Sequence, residues 1–311
     1  MSKPDDRVSG SGIAFAVAAY VLWGFLPVLF FALRESGPLE IVSWRIVLSL
    51  VFCALLITVT RGWPKLVAVV RDRRTMLALS LAAVFIVVNW VVYVFASVSG
   101  HVVEASLGYF TNPIVTVLLG VIVLRERLRP LQWVAVATSA VAVLVIAVGY
   151  GSFPWIAIVL ALSFGLYGLV KKRVGPTADA VSGLTVETAV LAPAAGATLV
   201  VIGLTSGLTF GTLGGAHTAL MLSLGVATAV PLILFAAAAR RLPLIYMGLA
   251  QYLAPVLQLV IGVVLLHEDM PLERWVGFGI VWVALAILTL DMFLHARRQR
   301  GTALPEAPGA P

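Results

Sequence analysis

Long apolar runs alternate with short polar breaks along almost the whole chain, and within each run the apolar positions are continuous. Barrel strands would show a period of two over about ten residues, whereas a helix needs roughly 20 apolar residues to cross the hydrocarbon core. Inside a bilayer only helices and closed barrels satisfy their own backbone polar groups. The pattern therefore predicts an all-α polytopic membrane protein embedded in the lipid bilayer. Ten transmembrane helices are predicted, at 12–33, 39–60, 75–98, 102–124, 131–149, 154–170, 182–205, 217–239, 245–266 and 275–294. The first follows a short polar tail and is long enough to span, so it reads as an uncleaved helix.

Lys and Arg are distributed unevenly over the breaks, and the asymmetry gives an orientation. With a cytoplasmic N-terminus, 18 of the 21 fall on inner segments: Lys3 and Arg7; Arg61, Lys65, Arg71, Arg73 and Arg74; Arg125, Arg127 and Arg129; Lys171, Lys172 and Arg173; Arg240 and Arg241; Arg297, Arg298 and Arg300. Outer segments hold Arg34 and Arg274, and Arg45 lies inside the second span. This is the positive-inside bias of a protein with N- and C-termini both cytoplasmic. It also accounts for the net charge of +7, so no nucleic-acid partner is expected. Composition agrees, with 61% hydrophobic and 11% charged residues excluding an ordinary soluble domain. The single Cys53 cannot form an intramolecular disulfide.

The chain also repeats itself. A shift of 142 residues without a gap lays Leu107 on Leu249, Pro113 on Pro255, Gly120 on Gly262, Leu124 on Leu266, Glu126 on Glu268 and Trp133 on Trp275. Trp23-Gly24 is echoed by Tyr167-Gly168. Five helices per half is an odd number, so the second half enters the membrane upside down, an inverted repeat. The expected organisation is a cytoplasmic tail at 1–11, a first repeat at 12–149, a connector at 150–153, a second repeat at 154–294 and a disordered cytoplasmic tail at 295–311.

Several stretches resemble the drug/metabolite transporter superfamily with its EamA repeats and, within it, the RarD-type permeases. They are Ala19-Tyr20 with Trp23-Gly24, Asn89-Trp90, Glu104 to Phe110 with Asn112-Pro113, Gly165 to Val170, Glu187-Thr188, and Trp282 to Ala286. Arg125 departs from the Gly usual before Glu126-Arg127-Leu128. The resemblance implies a ten-helix permease of the cell inner (plasma) membrane, in a branch associated by name with chloramphenicol sensitivity.

Candidate functional residues are polar groups that a membrane helix does not carry without reason. Pro113 and Pro255 sit near the middle of their spans, where each removes a backbone hydrogen bond and frees a carbonyl, of Tyr109 and Gln251. They mark expected helix breaks around a substrate site, or kinks in the scaffold. Arg45 lies about 9 Å inside the outer end of its helix, where an unpaired Arg costs on the order of 3 kcal/mol. Glu104, entering from the same side, is the expected partner, and snorkelling to the headgroups is the other reading. Glu104 and Glu187 are candidates for proton coupling, with structural ion pairs as the alternative. Asn89, Asn112, Gln251 and Gln258 can bind substrate or bridge helices. Trp90, Tyr109 and Tyr252 add aromatic surface beside them. Glu126 and Glu268 read as scaffold at helix ends.

No Walker loop, His-Glu-x-x-His helix or Gly-x-Ser-x-Gly elbow is present, and the four His have no metal spacing, so no cofactor and no metal are expected. The reading that follows is a secondary transporter exporting a small-molecule substrate of amphipathic character, with protons as the candidate coupling ion and the oligomeric state open. The rivals are an intramembrane enzyme acting on a lipid-linked substrate and a non-transporting membrane partner.

Overall fold

A computed structural model of the chain describes residues 10–124, 128–149, 153–174, 177–239, 241–242 and 250–302, and every regular element among them is helical. In the first half these are α1 (Gly10–Ala32), α2 (Gly37–Val59), α3 (Trp63–Arg71), α4 (Arg73–Val98), α5 (Val102–Leu124) and α6 (Pro130–Gly149). In the second they are α7 (Trp155–Val174), α8 (Ala180–Thr205), α9 (Gly215–Ala239), α10 (Leu253–Val260) and α11 (Leu272–Thr302). Seven stretches are long and apolar enough to cross a membrane, and three shorter apolar helices, Pro130–Val145, Trp155–Lys171 and Leu253–Leu265, occupy other predicted spans. The chain is a multi-pass membrane protein.

Local chemistry sets the helix ends. Asp72 and Asp179 are N-caps, each accepting from the backbone N–H groups two and three residues on. At Asp72 the Thr75 hydroxyl and those amides hold the carboxyl below the usual carboxylate range. After α4 the chain turns through Gly100 at φ 71°, and His101 N–H reaches back to the Ala96 carbonyl at 2.8 Å. That left-handed position is one a side chain would strain.

Four expectations need correction. α5 runs unbroken through Pro113, because a proline removes one bond of a ladder whose other bonds and packing persist, as Pro27, Pro193 and Pro231 also do inside α1, α8 and α9. The break in the second half falls at the turn Gln251–Tyr252, which puts Pro255 in the first turn of α10, where its missing N–H would have no helical partner anyway. α10 then ends in a π-turn, Ile261–Leu265. The last helix continues to Thr302, eight residues into the stretch expected to be disordered. Finally, α3 was not foreseen, since nine residues are too short to read as a span. Its Leu66 and Val69 pack beside Leu79, Val174 and Val186, while Trp63, Val67 and Val70 are exposed. Glu126, most of the 150–153 connector, the start of the ninth span and the outermost tail residues lie outside the described residues.

Helix packing follows a two-fold rule. Exchange α1, α2, α4, α5 and α6 for α7, α8, α9, α10 and α11, and the principal contacts map onto one another. α5 on α7 has its counterpart in α10 on α1, α4 on α7 in α9 on α1, and α2 on α9 in α8 on α4. The pairs α2–α8, α5–α10 and α6–α11 each join a helix to its own counterpart.

Where helices touch most closely, small residues face backbone. A Cβ at Gly108 would stand 2.8 Å from the Ala157 carbonyl oxygen, and one at Gly225 would stand 2.6 Å from that of Leu48. Backbone cannot swing away as a side-chain tip can. Gly108→Ala and Gly225→Ala are each expected to destabilise the protein by about 1–3 kcal/mol in detergent thermal unfolding. Gly168→Ala, with nothing within 4 Å of its Cβ, serves as the unaffected control.

Candidate functional site

α2 carries Arg45 eight residues past its first residue, about 12 Å along the helix axis at 1.5 Å per residue. The side chain is 4% exposed, which rules out snorkelling. Its Nε donates to Thr228 Oγ1 on α9 at 2.9 Å. The guanidinium carbon lies 4.3 Å from the Trp90 ring centroid and 5.5 Å from that of Phe30. Nη1 is buried and has no hydrogen-bond partner. A desolvated cation–π contact is worth about 2 kcal/mol and a charged hydrogen bond about 1.5–3, enough to offset an insertion cost of about 3. Arg45 is thus tolerated without a carboxylate, and its charge stays unneutralised.

The expected Arg45–Glu104 pair does not form. Glu104 Oε1 instead accepts from Ile156 N–H at 3.0 Å, in the first turn of α7. Four free N–H groups at a helix start compete strongly for a nearby carboxylate.

Beside Arg45, aromatic and amide groups from both halves form a continuous set. Tyr93 packs edge-on to Phe30 at 5.9 Å and to Tyr109 at 5.4 Å, and Tyr109 packs edge-on to Phe164 at 5.9 Å. Tyr109 Oη donates to Asn89 Oδ1 at 3.0 Å, while Asn89 Nδ2 donates to Leu160 O at 3.2 Å and Ser163 Oγ at 3.1 Å. Asn89 is thus fully engaged in bridging α4, α5 and α7. Gln258 Nε2 reaches the Trp23 carbonyl at 3.4 Å, but its Oε1 is unpartnered. The Gln258 amide also approaches Tyr93, yet Tyr93 Oη makes no hydrogen bond of good geometry. Asn112 Oδ1 is likewise unpartnered, 3.7 Å from where a Cβ on Gly165 would sit.

Of the predicted residues, Arg45, Trp90, Asn89, Tyr109 and Gln258 come together, and Asn112 faces α7 close by. Gln251 and Tyr252 do not join them. Tyr252 packs against a different apolar cluster, the one that gathers residues of α5, α6, α10 and α11, its hydroxyl facing Thr289 and Gln251. Sequence reasoning passed over Phe30, Thr228 and Ser163. An isolated polar residue inside an apolar span was the available signal for the last two.

Carboxylates recur as cross-links between elements. Glu268 accepts from Val102 N–H at 2.6 Å and Val103 N–H at 2.8 Å, capping α5 from the far half, the scaffold role expected of it. Glu40, 1% exposed, accepts from Thr209 N–H at 2.9 Å and Phe210 N–H at 3.2 Å. Glu187, also 1% exposed, pairs with Lys171 Nζ at 2.7 Å and accepts from Tyr167 Oη at 3.2 Å. Arg129 and Asp291 form a close ion pair at 2.5 Å.

Residues 10–148 match the EamA-like transporter family. The chain is 46% identical over 299 residues to "Protein RarD" of Streptomyces exfoliatus, covering 96% of this chain and 94% of that protein. It is 39% identical over 294 residues to "Uncharacterized transporter YojE" of Bacillus subtilis (strain 168), covering 93% and 97%. Among solved structures, one described as "Crystal structure of protein" superposes with a TM-score of 0.56 at 17% identity, covering 90% of this chain and 97% of that one. That last likeness is one of fold.

Breaking a buried ion pair from one side costs about 3–5 kcal/mol, whereas replacing both partners is close to neutral. Because Lys171 is partly exposed (28%), Lys171→Met is expected at the lower end, about 3 kcal/mol. The double variant Lys171→Met/Glu187→Gln is expected to recover most of that loss. Thermal unfolding of the single and double variants in one detergent checks both values.

Proposed function

The chain belongs to the EamA-like transporter family and is similar over nearly its full length to RarD proteins, and from that premise we propose a secondary transporter that exports small amphipathic organic compounds by alternating access. In this reading ten helices span the cell inner (plasma) membrane as two inverted five-helix repeats, with both termini cytoplasmic. The observation that carries the proposal is the constellation at Arg45. Phe30, Arg45, Trp90 and Tyr109 from one half meet Ser163, Thr228 and Gln258 from the other around buried polar atoms without partners.

A site built from both halves changes its exposure whenever the halves rock against each other, which is what alternating access requires. The two-fold mapping of helix contacts supports such a motion, because it supplies equivalent packing surfaces for two opposite tilts. The constellation offers a charge, hydrogen-bonding groups and ring faces, the means to hold an organic molecule rather than to transform one. Cells with the protein are expected to accumulate less of at least one compound from a panel of metabolites and amphipathic antibiotics than cells without it, with Arg45→Ala abolishing the difference. Equal accumulation across the panel would retire the export reading.

For coupling, the proposal assigns the proton to Glu187 rather than Glu104. Glu187 sits inside α8 with two side-chain partners, Lys171 and Tyr167, that a rocking α7 would withdraw. Glu104 is committed to the start of α7. Transport by Glu187→Gln protein is expected to lose its pH dependence, while Glu104→Gln keeps the wild-type pH profile at reduced thermal stability. The reverse pattern in proteoliposome uptake between pH 5 and 8 would move the coupling role to Glu104.

A further inference from the structure

The charge of Arg45 is held but not matched. Its Nε is taken by Thr228, a neutral hydroxyl, and its faces by Trp90 and Phe30. None of these contacts carries negative charge, and among the described residues Arg45 makes no ion pair. Arg does not shed its proton to escape such a setting. A guanidinium with an unpartnered Nη1 in an apolar interior is therefore a fixed positive pole.

Around it lie groups that would read the rest of a ligand. Tyr93 Oη and the Gln258 amide face each other in the same interior without a hydrogen bond of good geometry, so either can turn to a ligand, and the rings of Trp90, Phe30, Tyr93 and Tyr109 supply apolar faces. The carboxylate expected to pair with Arg45, Glu104, is spent on Ile156. A planar guanidinium edge favours a planar anion, and the strongest fit is a carboxylate.

We infer that this site selects organic monoanions: a single carboxylate on Arg45 Nη1 and an aromatic or similarly flat apolar body against the Trp90–Phe30–Tyr93–Tyr109 rings. The inference rests on the transporter reading and narrows it. One unmatched positive charge admits one negative charge. A neutral isostere could accept from Nη1 through its carbonyl oxygen but would leave the charge unmatched, a cation would be repelled, and a dianion would carry an excess charge into the interior.

Four probes test this on the purified full chain in detergent, with ligand binding read by tryptophan fluorescence and movement read by counterflow in proteoliposomes. They are 3-phenylpropionate, its neutral amide, 3-phenylpropylamine, and acetate, which keeps the carboxylate and loses the ring. The expected order is 3-phenylpropionate tighter than the amide by roughly tenfold or more, acetate similarly weaker, and the amine without saturable binding. Arg45→Gln should erase the preference for carboxylate over amide, and Arg45→Lys should retain part of it.

The inference is overturned if wild-type protein binds the amide or amine as tightly as the carboxylate, or shows no saturable binding of the carboxylate, and neither comparison needs a variant to fold. Acetate binding as tightly as 3-phenylpropionate overturns the aromatic half of it. Arg45-dependent binding of the carboxylate without counterflow would remove the transporter reading and leave the selectivity standing. Counterflow of amide and carboxylate alike would do the opposite.

Discussion

An unneutralised guanidinium inside an apolar bundle is the constraint around which the rest of this structure is arranged. Arg45 is kept there by a threonine hydroxyl and two ring faces, contacts strong enough to hold the group and unable to cancel its charge. Each of them comes from a different helix, α9, α4 and α1, so the position of one side chain depends on how three helices pack against α2. That packing includes the closest backbone approach noted in the bundle, Gly225 of α9 against the Leu48 carbonyl of α2.

Three carboxylates satisfy backbone N–H groups rather than the central arginine. Glu40, Glu104 and Glu268 each reach across to the backbone N–H groups of another element, the loop at 209–210, α7 and α5 respectively. In a medium without water an open N–H is costly, and a carboxylate satisfies it while finding its own counter-dipole. These three carboxylates staple elements distant in sequence. They also explain why the central charge has no fixed counter-ion: the acid expected to pair with it, Glu104, is held by a helix end.

Symmetry in the sequence becomes symmetry in contacts but not identity of structure. Pro113 and Pro255 align in the repeat, yet one lies inside a continuous helix and the other in the first turn of a helix that restarts after Tyr252. A repeat preserves which surfaces meet. It does not preserve how each backbone accommodates a missing hydrogen bond, because the neighbours of the two prolines differ.

The apolar periodicity, the placement of Lys and Arg and the 142-residue repeat made the helical class, most helix positions and the family resemblance legible in the chain alone, since these are local or one-dimensional signals. Arg45, Asn89, Trp90, Tyr109 and Gln258 also stood out as candidates in the chain alone, because polar and aromatic groups in apolar spans are conspicuous wherever they point. The partners were not legible. Thr228 stands 183 residues from Arg45 and Glu268 stands 166 from Val102, and no spacing rule says which helix face meets which at that distance. Nor could sequence tell that Glu104 would choose a helix terminus over the arginine expected as its partner. Tertiary structure decided it, by bringing the first N–H groups of α7 within reach and leaving the Arg45 charge open.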